Sequence, residues 1–251
     1  MRASTILLLL FLLAGCGTGA MTRSDSGTFV SREVALDGVS RRYQVFVPSR
    51  RAGGAHPPVI LFLHGAGERG DDGVKPTQVG LGPYVRAHAA DFPAIVVFPQ
   101  SAENGEWGWD PQNADFAFAA LEAATKEFSG DRDRTYLTGV SMGGFGTWAL
   151  PRYRSGLFAA LVPVCGGVGR DAVDSPYDEV ARQFRTMPVW IFHGAKDDVV
   201  EPERSRRMAA ALKTAGARDA RYTEFPETDH NAWDSAYATP ELWTWLFAQR
   251  R

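Results

Sequence analysis

Five largely apolar stretches punctuate the middle of the chain: Val59–Leu63, Ala94–Phe98, Thr135–Val140, Phe158–Val164 and Val189–Phe192. Strands that are apolar on both faces belong to parallel sheets covered by helices on either side. Ahead of them, Thr28–Val34 and Arg41–Val47 alternate polar and apolar positions around Asp37-Gly38, which predicts an antiparallel hairpin. Ala114–Phe128 and Glu203–Ala215 carry a helical period, the latter opened by Pro202 and closed by Gly216, as helix starts and stops require. A strand over Arg221–Phe225 and a helix over Glu241–Arg250 end the series. This alternation predicts a three-layer α/β sandwich, mostly parallel, with the antiparallel hairpin at its N-terminal edge. In such sheets the binding groups collect beyond the carboxyl ends of the strands.

The first residues follow a different pattern. Arg2, the apolar run Ile6–Leu13 and the small pair Ala14-Gly15 read as an export signal. Eight apolar residues make about 12 Å of helix, against about 30 Å of hydrocarbon core to cross. A transmembrane anchor is therefore not expected. Leu13-Ala14-Gly15-Cys16 resembles the lipobox of bacterial lipoproteins. That resemblance implies a signal peptide over residues 1–16, lipid on Cys16, a polar tether over 17–27 and a folded domain over 28–251. The protein would then be exported and held to a bacterial membrane only by its lipid. A plain secretory peptide is the alternative, and Met21 is an alternative start giving a cytosolic protein. With Cys16 outside the fold, Cys165 has no disulfide partner and reads as a buried small hydrophobe.

Composition narrows the class. Of 251 residues 45% are hydrophobic, enough for one large core. The 27 basic and 29 acidic residues nearly cancel, which leaves no electrostatic case for nucleic acid or an anionic membrane surface. No His, Cys or carboxylate spacing suggests a metal, and the glycine fingerprint of a dinucleotide site is absent. No cofactor is expected.

The chemistry centres on Gly139-Val140-Ser141-Met142-Gly143, a G-x-S-x-G sequence between a predicted strand and the small-residue start of a helix. A sharp turn from strand to helix exposes the serine Oγ at the sheet's carboxyl edge. A hydroxyl is a weak nucleophile near pH 7 and needs a base within reach. His64 and His193 each end an apolar strand, whereas His56 and His88 lie in surface segments. In the chain order Ser, acid, His, His230 is the one histidine after a candidate acid. Asp197 and Asp198, in the loop after Val189–Phe192, are such acids. Asp197 is preferred, Asp198 can instead be a turn aspartate, and Asp174 follows no strand end directly. A tetrahedral intermediate also needs amide donors. Met142, next to the serine, offers one, and Ala66 in His64-Gly65-Ala66-Gly67 offers the other.

Phe62–Gly70, Gly139–Gly144 and Phe192–Asp198 together resemble the α/β-hydrolase superfamily. Within it they are similar to small bacterial carboxylesterases that include feruloyl and acetyl-xylan esterases. Related sequences there are described as peptidases of prolyl-oligopeptidase type. The resemblance runs from Thr28 to the end and implies Ser141 as nucleophile, Asp197 as acid and His230 as base. The expected activity is hydrolysis of carboxylic esters, aryl or carbohydrate-linked. A serine peptidase is the first alternative and a non-catalytic surface-binding lipoprotein the second. Trp107 and Trp109, beyond the predicted strand Ala94–Phe98, are expected to face the cleft and stack on substrate rings. The alternative for them is core filling. Glu68, Arg69, Asp71 and Asp72 are expected to brace their loop. Nothing in the sequence specifies an oligomeric state.

Overall fold

The computed structural model describes residues 26–251 apart from 170, 172 and 174. The leader, Cys16, Met21 and most of the tether lie outside the described residues, as does Asp174. The chain opens with β1 (Thr28–Leu36) and β2 (Val39–Val47), then α1 (Arg50–Gly53), β3 (Val59–Leu63), α2 (Leu81–Ala87) and β4 (Ile95–Pro99). It continues with α3 (Pro111–Glu127), β5 (Thr135–Val140), α4 (Met142–Tyr153), β6 (Ala160–Val164) and α5 (Tyr177–Phe184). It ends with β7 (Val189–Gly194), α6 (Glu203–Thr214), β8 (Ala220–Phe225), α7 (Ala232–Tyr237) and α8 (Pro240–Ala248).

All eight strands form one sheet in the order β1-β2-β4-β3-β5-β6-β7-β8. β1 pairs with β2 and β2 with β4 antiparallel, and the remaining pairs are parallel. This is the expected mostly parallel sheet with an antiparallel N-terminal hairpin. Asp37 and Gly38 both take positive φ, 50° and 79°, the geometry whose twist matches paired strands in a two-residue hairpin turn.

The strand period of two divides the core. Val59, Leu61 and Leu63 of β3 join one cluster with Phe116, Leu121, Trp148 and Leu212 from α3, α4 and α6. Ile60 and Phe62 join the opposite cluster with Leu81, Tyr237 and Leu246 from α2, α7 and α8. Both faces of β3 are thus buried, which is why its sequence shows no polar position. α3 starts three residues earlier than its period suggests, because Asp110 caps it by accepting from the Gln112 amide, with Pro111 at the first helical position.

Candidate active site

Ser141 sits between β5 and α4 at φ 53° and ψ −117°, a backbone region that costs a non-glycine residue of order 1–3 kcal/mol. The neighbouring glycines make the turn possible. A Cβ on Gly139 would lie 2.3 Å from the Gly143 carbonyl oxygen, and one on Gly143 1.9 Å from that of Leu63. The Ser141 amide donates to Val164 on the adjacent strand at 3.0 Å, so the sheet itself holds the strained residue.

Three of the residues selected from sequence meet here. His230 Nε2 lies 2.9 Å from Ser141 Oγ, and His230 Nδ1 lies 2.7 Å from Asp197 Oδ2. A carboxylate only accepts, so Nδ1 carries the hydrogen and Nε2 turns its lone pair to the hydroxyl. The Asp197 side chain is fully buried and that of His230 is 19% exposed. Burial opposes ionisation of Asp197, but hydrogen bonds from His193, His230 and the Val200 and Val199 amides outweigh it. The carboxyl is held well below its usual range. Asp198, the neighbouring candidate, is exposed. Cys165, at φ 50°, donates Sγ–H to the His230 carbonyl at 3.2 Å, a role its small-hydrophobe reading did not contain. Ligand atoms of Cys165, Asp197 and His230 lie within 4.8 Å of one another. The thiol is pushed up to about 12 by burial and the Asp197 charge, and its hydrogen is committed to the His230 carbonyl.

The amides of Ala66 and Met142 each begin a helical turn, where N–H groups have no partner within the turn. Among the described residues neither donates to an acceptor. The Gly65–Ala66 segment runs against the serine: a Cβ on Gly65 would sit 3.6 Å from Ser141 Cβ. His64 braces it. Its Nδ1 donates to the Gly65 carbonyl at 2.6 Å, and its Nε2 accepts from the Ser101 amide at 2.9 Å. Burial lowers its pKa to about 4, so the ring is neutral. Beyond it, Arg69 donates to the Gly105 carbonyl, Asp72 accepts from the Val74 and Lys75 amides, and Gln100 donates to the Glu68 carbonyl.

The two tryptophans part company. Trp107 is wholly buried and donates Nε1–H to the His64 carbonyl at 3.0 Å, so it lies beneath the loop and cannot stack on substrate. The expectation for it is corrected: an indole N–H without water takes a buried carbonyl as its acceptor. Trp109 is 38% exposed. Its ring centroid is 5.8 Å from that of Phe145, one helical turn beyond Ser141. Phe145, partly buried on α4, is an aromatic neighbour of Ser141 that the sequence reading passed over.

The model of the prolyl oligopeptidase family matches residues 172–249, the segment that holds Asp197 and His230. A solved thermostable esterase superposes with a TM-score of 0.73 at 30% identity, covering 89% of this chain and 63% of that one. This chain has the α/β-hydrolase fold. A bifunctional acetylxylan esterase/xylanase of Neocallimastix patriciarum is 26% identical over 166 residues, 65% of this chain and 22% of the relative. A ferulic acid esterase of Anaeromyces mucronatus shares the fold at 18% identity and a TM-score of 0.60, over 84% of this chain and 88% of its own. This chain thus spans about a fifth of the curated relatives it matches, 22% and 21% of their lengths.

Proposed function

We propose that this protein is a serine esterase that cleaves carboxylic esters through an acyl-enzyme. The observation that carries the reading is the unbroken contact line from Ser141 Oγ through His230 to Asp197, at 2.9 and 2.7 Å. As Ser141 Oγ bonds to the ester carbon, its proton passes to His230 Nε2, and the carbonyl electron pair moves onto oxygen. The imidazolium is stabilised by Asp197. The amides of Ala66 and Met142 donate to the oxyanion, each worth about 3 kcal/mol in the transition state. When the carbon–oxygen ester bond breaks, His230 returns the proton to the departing alkoxide. Water then repeats the sequence on the acyl-serine and frees the acid.

Esters of aryl acids or of carbohydrates are the proposed substrates. Trp109 offers exposed ring surface and packs against Phe145, one helical turn beyond the nucleophile, and relatives are described as acetylxylan and ferulic acid esterases. Export is part of the same reading: a second relative, 26% identical over 208 residues, is described as secreted, and the leader with Cys16 supplies the signal and the lipid site. Among the described residues no helix is long and apolar enough to cross a membrane.

Turnover of p-nitrophenyl acetate against a proline peptide substrate, with fluorophosphonate labelling of Ser141, tests the proposal. Ester turnover and labelling are expected, both abolished in Ser141→Ala. Peptide cleavage exceeding ester cleavage would favour the serine peptidase reading, which the prolyl oligopeptidase match supports. Absence of labelling in folded protein would sink both.

A further inference from the structure

His193 is the penultimate residue of β7, four residues before Asp197, and its side chain is completely buried. Nε2 faces two oxygens, the Val200 carbonyl at 2.9 Å and Asp197 Oδ2 at 3.1 Å. Neither oxygen can donate, so Nε2 carries the hydrogen and shares it between them. Nδ1 lies 2.7 Å from the Ser205 hydroxyl on α6, which can donate to it and complete the neutral ring. Ser205 is itself buried at 3% exposure. The Asp197 oxygen that receives His230 therefore receives a second imidazole from the other side. Its other oxygen accepts the Val199 and Val200 amides at 3.0 and 2.9 Å.

We propose that His193 is a positioning residue for the Ser141 reaction, its Nε2–H fixing the Asp197 carboxylate toward His230 and drawing off part of its charge. The inference rests on Asp197 being the acid of the esterase. A carboxylate held by four donors cannot rotate away from His230, and charge shared with His193 is not available to the imidazolium. Asp197 can then orient His230 without trapping it in the protonated form. The other ionisable groups near the pair are Cys165 and His230 in the site, Asp229 in the loop beside them, and Glu224, which pairs with His193 across β8 and is bound by Arg206.

The test compares His193→Leu, which has no donor, with His193→Gln, whose side-chain amide can restore Nε2–H. In folded His193→Leu the full charge of Asp197 favours protonated His230. The acid limb of the kcat/KM profile for p-nitrophenyl acetate should move up by about half a pH unit or more. kcat should fall about tenfold, with KM little changed. His193→Gln should return the limb toward the wild-type position. A folded His193→Leu protein with lower activity but an unmoved limb would overturn the proposal, because a structural role alone lowers activity at every pH. If His193→Leu does not fold, nitrogen-15 NMR of the wild-type imidazoles decides: the proposal requires a hydrogen on His193 Nε2, and a bare Nε2 overturns it. Wild-type turnover in Asp197→Asn would instead remove the acid reading beneath the proposal, whatever the His193 tautomer.

Discussion

The indole N–H of Trp107 reaches the backbone carbonyl of His64 at 3.0 Å, joining the segment after β4 to the loop that presents Ala66. The His64 and Trp107 rings meet edge to face at 5.0 Å. The carbonyl is sealed from water, so its loss as an acceptor is felt in full. Trp107→Phe should lower stability by about 1–3 kcal/mol and reduce kcat by loosening the Ala66 amide. Trp109→Ala, on the exposed side of the same loop, should leave the melting temperature nearly unchanged and raise KM for aryl esters. Thermal unfolding and steady-state kinetics on both variants check the contrast.

Strain at Ser141 gives a second expectation. Alanine keeps a Cβ at φ 53°, whereas glycine accepts that conformation without collision. Ser141→Ala and Ser141→Gly should both be inactive. The glycine variant should unfold at the higher temperature, since relief of about 1–3 kcal/mol of strain exceeds the roughly 1 kcal/mol entropic cost of glycine. Equal melting temperatures would mean that the strain relieved is no larger than the roughly 1 kcal/mol entropic cost of glycine.

His64 sets an acid limit to stability. Its folded pKa, lowered to about 4 chiefly by burial, lies below the unfolded value near 6.5. The unfolded chain therefore binds a proton that the folded ring refuses. Its contribution is present above about pH 6.5 and is lost as pH falls through about 4, an effect of at most about 3 kcal/mol. Urea unfolding at pH 7 and pH 4 measures it, and His64→Gln should flatten that part of the pH dependence.

Cys165 sets the alkaline counterpart. Burial first, and then the Asp197 charge, push its thiol up to about 12, above the unfolded value near 8.5. Its contribution is complete below the unfolded pKa and is lost as pH rises toward 12. The native thiol should resist thiol reagents at pH 8 and react once the chain unfolds. Replacement by serine, which does not titrate in this range, should make the alkaline decline shallower.

Much of this was written locally. Val59–Leu63, buried along its whole length, announces a central parallel strand because each of its faces meets a helix layer. α5 also carries a local signal, with Tyr177, Val180, Ala181 and Phe184 buried at helical spacing. Reading strand by strand passes over it. α7 carries no comparable signal. Its six residues are too few to show a period, and its place depends on Tyr237 reaching Thr138 on β5 at 2.9 Å.

By itself the sequence determined the layered sheet, the turn that carries Ser141 and the histidine that meets it, because periodicity, glycine spacing and chain order are properties of neighbouring residues. Tertiary structure decided which of two adjacent aspartates turns inward to His230, which of two nearby tryptophans is submerged, and that His193 and Cys165 touch the same cluster. Those choices depend on where β7, α6 and the His230 loop cross. Residues far apart along the chain share buried hydrogen bonds there, and no spacing along the chain records such a meeting.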